Sequence, residues 1–194
     1  MSEQSGSVAP TTPGEITRLL QAHHQGDDDA FGQLVPLVYD EMLVIARQQL
    51  SRWRPGATLD TTGLAHEAYL RLVGQTLVEF EGRHHFYAIA ARSMRLILVD
   101  YARGRFAKKR GEGQPPVSLD QVEPGYSHEV ETVLSIDSAL NKLAQVNERS
   151  ARVFECRFFG GLSVQETASA LNLSLRTVHR EWLKSKGFLR RQLS

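Results

Sequence analysis

Between Arg83 and Arg110 the chain sets Arg83, Arg92, Arg95, Arg103, Arg105, Lys108, Lys109 and Arg110 among Phe86, Tyr87, Tyr101 and Phe106. Cations that follow a sugar-phosphate backbone and aromatic faces that stack on unpaired bases are together the chemistry of single-strand binding. A second group lies near the C-terminus, where Arg176, Thr177, His179, Arg180 and Lys184 share one side of a helical pattern and Leu175, Val178, Trp182 and Leu189 the other. A basic helix of this kind suits the major groove, since arginine pairs with guanine edges while its neighbours hold phosphates. Covalent chemistry has little raw material. His23, His24, Asp27, Asp28 and Asp29, or His84 and His85, could serve a metal-dependent nuclease, the remotest alternative. Adjacent histidines, however, point about 100° apart on a helix, no glycine-rich phosphate loop is present, and no nucleophile has an evident base partner. The sequence therefore reads as a non-enzymatic binding protein without metal or cofactor.

These side chains need helices to carry them. From Phe31, Leu34, Val38, Met42 and Ile45 recur at three- and four-residue spacing, as do Phe86, Ile89, Met94, Ile97 and Tyr101. That is the period of an amphipathic helix, and strand-like alternation is nearly absent, so the fold class is all-α. By the same period most apolar residues of the first basic block form a core stripe and leave function to the cations. Asp27, Asp28 and Asp29 are placed to cap a helix and complement its dipole, and Pro36 should kink that helix or delay its start. Ser163-Val164-Gln165-Glu166 is a capping box, in which the serine accepts from the amide three residues on and the glutamate reaches back. Val164, Ala168 and Leu171 give the resulting helix one apolar face; Asn172-Leu173 then interrupts the period and Ser174 caps the next helix. The unit is helix, tight turn, helix.

Residues 111–127, GEGQPPVSLDQVEPGYS, hold three Gly and three Pro, which disfavours a regular element. The expected organisation is a loose tail over 1–14, a helical domain over 15–110, a flexible linker over 111–131 and a second small helical domain over 132–194. Charge follows these divisions: residues 1–82 carry net −6, 83–110 net +7, 111–148 net −6 and 149–194 net +6, within an overall +1. Clustered cations attract nucleic acid far better than the same number interspersed with acids. Two basic blocks thus suggest a two-point grip. Hydrophobic residues at 41% and charged residues at 23% are the balance of a folding chain. The longest uncharged stretch, Gln4–Gly14, is polar, so no membrane span is expected. An N-terminus without a basic start and apolar block points to the cytoplasm. The single Cys156 excludes an internal disulfide and a thiolate metal cage.

The order LDTTGLAHEAYLRLV, FYAIAARSMRLILVDYARGR, a Pro/Gly linker and ECRFFGGLSVQETASALNLSLRTVHREW resembles bacterial RNA polymerase sigma factors of the extracytoplasmic-function (ECF) group over about residues 15–194. The resemblance implies a region-two domain that binds core RNA polymerase and melts the minus 10 element. It also implies a region-four helix-turn-helix that reads the minus 35 element, and a linker threading the RNA exit path. Carried over by motif, Asp60, Leu64, Glu67, Leu70 and Arg71 face the polymerase; Arg83, Phe86, Tyr87, Arg92, Arg95, Arg103 and Arg105 face the minus 10 DNA; Arg176, Thr177, His179, Arg180 and Lys184 face the minus 35 DNA. The implied partners are core RNA polymerase and promoter DNA.

The chain departs from that pattern at the polymerase-facing helix. Most members of the group begin it with several acidic residues, whereas here Thr61, Thr62 and Gly63 follow the single Asp60, with His66 where glutamine is common. This is similar to the subgroup that lacks the acidic patch in region two. Lost carboxylates weaken docking on a basic surface, and a phosphothreonine near a helix N-terminus would restore about −1.5 to −2 charge. Thr62, then Thr61, are the candidate sites for a Ser/Thr protein kinase; the alternative is that one of them is an ordinary N-cap. The rival functional reading is a conventional helix-turn-helix regulator that binds operator DNA without polymerase.

Overall fold

The computed structural model describes residues 13–52, 59–73, 80–111 and 126–193. Residues 1–12 of the expected tail and 112–125 of the expected linker lie outside the described residues, as does the side chain of Arg105. Among the described residues every regular element is helical: α1 Pro13–His24, α2 Asp28–Arg52, α3 Thr61–Val73, α4 Arg83–Gly111, α5 Tyr126–Phe154, a π-helical turn Glu155–Phe159, α6 Val164–Leu171 and α7 Leu175–Leu193. None of the described helices is long and apolar enough to cross a membrane.

The helix starts follow local chemistry. Asp27 caps α2 as its sequence suggests, its Oδ1 accepting from the amides of Asp29 at 3.1 Å and Ala30 at 3.2 Å. Pro36 does not delay that start: α2 begins at Asp28 and runs through the exposed proline to Arg52. Asp60 caps α3 by accepting from the Gly63 amide at 2.7 Å, so neither Thr61 nor Thr62 is the N-cap. Helix α5 starts at Tyr126, within the stretch expected to be linker. The breakers end at Gly125, and no glycine or proline follows until Gly160, so nothing local stops the helix from extending. It is broken at Asn147, which takes φ −155° and ψ 87°. Asn147 Oδ1 accepts from the Ser150 amide at 3.1 Å, so it caps a second helical segment that leads into the π turn.

Both halves bury their apolar faces in one continuous core. Ile16 and Leu20 of α1, Leu34 and Met42 of α2, Leu64 and Leu72 of α3, and Phe86 and Met94 of α4 belong to it, and so do Leu140 of α5, Phe159, Leu162 and Leu189. A satellite cluster of Val153, Ala168 and Val178, flanked by Val164, Leu171, Leu173 and Trp182, holds the helix-turn-helix itself. The seam between halves is tight because Gly160 lies against α4: a Cβ there would stand 3.3 Å from the Ala91 methyl and 2.6 Å from the Cys156 carbonyl oxygen. The next residue, Gly161, has φ +66°, a conformation glycine adopts without strain. Across the same seam Gln49, fully buried, donates from Nε2 to the carbonyls of Ala91 at 3.0 Å and Phe159 at 3.3 Å. The Arg52 guanidinium lies 4.5 Å from the centre of the Phe158 ring and donates to the Phe158 carbonyl.

Candidate nucleic-acid interface

The C-terminal candidate site is built by two caps and a turn. Ser163 Oγ accepts from the Glu166 amide at 3.2 Å while Glu166 Oε2 accepts from the Ser163 amide at 2.7 Å, a complete capping box at the start of α6. That amide bond holds the Glu166 carboxyl below the usual carboxylate range. Asn172 ends α6 in the left-handed conformation, φ 51°, and Leu173 N–H returns to the Ala168 carbonyl at 2.9 Å. Ser174 Oγ then accepts from the Thr177 amide at 3.2 Å and opens α7. Arg176, His179, Arg180 and Lys184 are exposed on α7, whereas Thr177 is half-buried with its hydroxyl 2.9 Å from Ser174 Oγ. The apolar side differs in one place from the sequence reading: Val178 and Leu189 are buried and Trp182 is partly buried, but Leu175 is 47% exposed. Leu175 is the first residue of α7, ahead of the turn that packs on the core.

Glu181 is a buried acid beneath the cationic face of α7 that the sequence reading does not single out. It occupies the buried face of α7, 2% exposed, between Val178 and Ser185. Its Oε2 accepts from Ser150 Oγ at 2.6 Å and Asn147 Nδ2 at 3.2 Å, both on α5. Its Oε1 accepts from Arg180 Nε at 2.9 Å and Lys184 Nζ at 3.3 Å. The Ser150 hydroxyl, then Arg180 and Lys184, outweigh burial and bring the Glu181 carboxyl down to about 2. A glutamate next to an arginine reads as surface charge; only the α5 partners, more than thirty residues away, draw it inward.

The surface of α4 is less accessible than its sequence suggests. Phe86 is fully buried and packs edge-on against Tyr87, itself 4% exposed, with ring centres 5.5 Å apart. Neither aromatic can stack on a base in this conformation: Phe86 serves the core stripe that the period also predicted, and Tyr87, outside that stripe, is buried beside it. Burial raises the Tyr87 phenol. Arg95 is 4% exposed, paired with Asp137 and, at 2.8 Å, with Glu155. Arg103 is exposed but reaches Asp137 at 3.1 Å, and Arg83 pairs with Glu41. Arg92 is exposed. Of the expected minus 10 set the structure thus exposes Arg92 and Arg103, leaves Arg83 half-buried, and turns Phe86, Tyr87 and Arg95 inward. The His85 ring accepts from the Glu81 amide at 3.2 Å, and burial lowers its pKa. Among the described residues no three of His, Cys, Asp and Glu converge on a point that could hold a metal.

On α3 the expected polymerase-facing residues divide in the same way. Leu64 is fully buried, while Leu70, at 54%, is among the most exposed large apolar side chains. Asp60 and Glu67 are exposed and Arg71 is half-buried. Arg71 bridges Glu67 at 3.2 Å and Asp100 of α4 at 3.1 Å, tying α3 to the basic helix. Thr62 is exposed and Thr61 half-buried in a first turn that contains no acidic residue.

Compared with known families, residues 13–194 match the model described as ECF sigma factor. No curated protein matches the chain.

Proposed function

The chain belongs to the ECF sigma factor family, whose members bind core RNA polymerase and promoter DNA, and from that premise we propose how this chain divides the work. The C-terminal unit, about 132–194, reads the upstream minus 35 element through Arg176, Thr177, His179, Arg180 and Lys184. The N-terminal unit, about 15–110, docks on the polymerase through α3 and meets the minus 10 element through α4. The observation that carries this reading is the exposed cationic face of α7 on a doubly capped helix-turn-helix. Arginine on such a face supplies base discrimination and lysine phosphate attraction. On α4 Arg83, Arg92, Arg103 and Arg105 take the DNA-facing part, joined by Arg95 when the seam with the C-terminal unit opens and by Phe86 and Tyr87 when their own packing within the N-terminal unit loosens. On α3 the exposed Leu70 beside Asp60, Glu67 and Arg71 is the docking face, backed by the buried Leu64.

The first turn of α3 also supports the finer reading that this sigma factor is of the subgroup lacking the acidic patch and is switched by a Ser/Thr protein kinase. Thr62 is exposed there, and its phosphate would supply the missing negative charge where the helix dipole favours it. Thr61 is the second candidate. Reconstitution with core polymerase on a promoter library tests the role, and comparing unmodified, kinase-treated and Thr62→Glu protein tests the switch. The expected result is new start sites with polymerase and tighter docking of the modified forms. Duplex binding without polymerase, with no redirected initiation, would instead indicate a conventional regulator.

A further inference from the structure

We propose that Glu181 is a positioning residue for promoter reading: its buried carboxylate holds the Arg180 guanidinium in a base-discriminating orientation, raising sequence selectivity while lowering the general attraction of α7 for DNA. The inference rests on the reading of α7 as the minus 35 helix. Its two oxygens have separate tasks. Oε2 faces inward and is anchored to α5 by Ser150 at 2.6 Å and Asn147 at 3.2 Å. Asn147 is itself fixed, because it caps the segment that begins at the break in α5. Oε1 faces the cations and takes Arg180 Nε at 2.9 Å and Lys184 Nζ at 3.3 Å.

The side chains of Arg180 and Lys184 are 57% and 54% exposed, whereas that of Glu181 is 3% exposed, so solvent-facing cations are tethered to a buried acid. A guanidinium held through Nε keeps its plane, and its terminal amino groups remain the fork that matches a guanine edge. Pre-setting that plane removes rotamer freedom that would otherwise be lost on binding. A negative charge beneath a DNA-facing surface also repels phosphate, so a neutral side chain bonding Ser150 and Asn147 would serve stability alone with a better general affinity.

The test uses the full-length chain assembled with core polymerase on duplex promoters randomised over the upstream element, with unrelated duplex as control. Glu181→Gln keeps size and one acceptor oxygen, enough for Ser150 and Asn147, but removes the charge and replaces the oxygen that faces the cations with a donor. It is expected to reduce discrimination at one base pair on the order of tenfold, while binding unrelated duplex more tightly and with a steeper salt dependence. Arg180→Ala is expected to lose discrimination at the same base pair, and the double variant to be no worse than Arg180→Ala alone. An unchanged base profile in a folded Glu181→Gln protein overturns the proposal; so do independent effects of the two substitutions, or a parallel loss of specific and unrelated binding. Should Glu181→Gln fail to fold, Ser150→Ala decides. It keeps the charge but removes the shortest anchor, so lost discrimination at the Arg180 position supports the proposal and an unchanged profile overturns it. If Arg180→Ala alters discrimination nowhere, the role of Glu181 is overturned; the reading of α7 itself fails only if Arg176→Ala is silent as well.

Discussion

Arg95 of α4 and Asp137 of α5 form an ion pair in which each side chain is only 5% exposed, and it joins the two halves of the chain. Arg95 also holds Glu155 of the π turn at 2.8 Å, and Asp137 also receives Arg103 at 3.1 Å and Asn141 at 3.2 Å. Charges taken out of water recover little net free energy from each other, but removing one partner leaves the other uncompensated.

Arg95→Ala is therefore expected to destabilise the chain by about 3–5 kcal/mol. It takes the arginine from Glu155 and leaves Asp137 with only Arg103 and Asn141, so it should cost more than Asp137→Ala, after which Arg95 retains Glu155. Arg71→Ala breaks two exposed bridges and is expected to cost about 1 kcal/mol or less. Urea midpoints of the three variants give the order, and an Arg71 loss equal to that of Arg95 would contradict this account of burial.

Cys156 is 2% exposed beside the seam, and burial first, then the neighbouring Glu155, pushes its thiol up to about 12. The thiolate is the reactive form, so alkylation near pH 8 should be slow in the folded chain and complete in denaturant. Arg95→Ala should accelerate it under native conditions; an equal labelling rate would mean that Cys156 is reached without disturbing the seam.

Acid should loosen the helix-turn-helix through Glu181. Its carboxyl is lowered from the ordinary 4.5 to about 2, so it binds protons less readily in the folded state. The resulting stabilisation is complete above about 4.5 and disappears as pH falls towards about 2. A circular-dichroism titration of melting temperature should show this loss, and Glu181→Gln should flatten that part of the curve.

On promoter DNA, losing a base-reading arginine is expected to cost about 1–3 kcal/mol and relax one position, whereas Lys184→Ala should weaken all sites alike and lower the salt slope. Competition binding of Arg176→Ala, Arg180→Ala and Lys184→Ala holoenzymes checks this. Wild-type affinity in both arginine variants would exclude α7 as the reading helix.

What the sequence disclosed was what neighbours in the chain decide. The Asp27 cap, the Ser163–Glu166 box, the turn at Asn172 and the cap at Ser174 each close within a few residues, and each is observed as read. The all-α class followed from apolar periodicity for the same reason. The inward-facing charges did not show, because a charged residue on a helix reads as solvent-facing until its partner is known. Arg95 and Asp137 are 42 positions apart, and Glu181 and Ser150 are 31 apart. The family motif offers Leu64 and Phe86 as contact residues, yet both are fully buried, since a motif records which residues recur on a helix but not which face they occupy. Asn147 gave no signal either: its break lies inside an otherwise unbroken helical stretch.

The seam formed by Gln49, Arg95 and Gly160 makes covalent continuity between the halves less important than it looks in the sequence. A chain cleaved by a protease between residues 112 and 125 should still elute as one particle, and fragments made separately should find each other and reassemble, in the manner of a split protein.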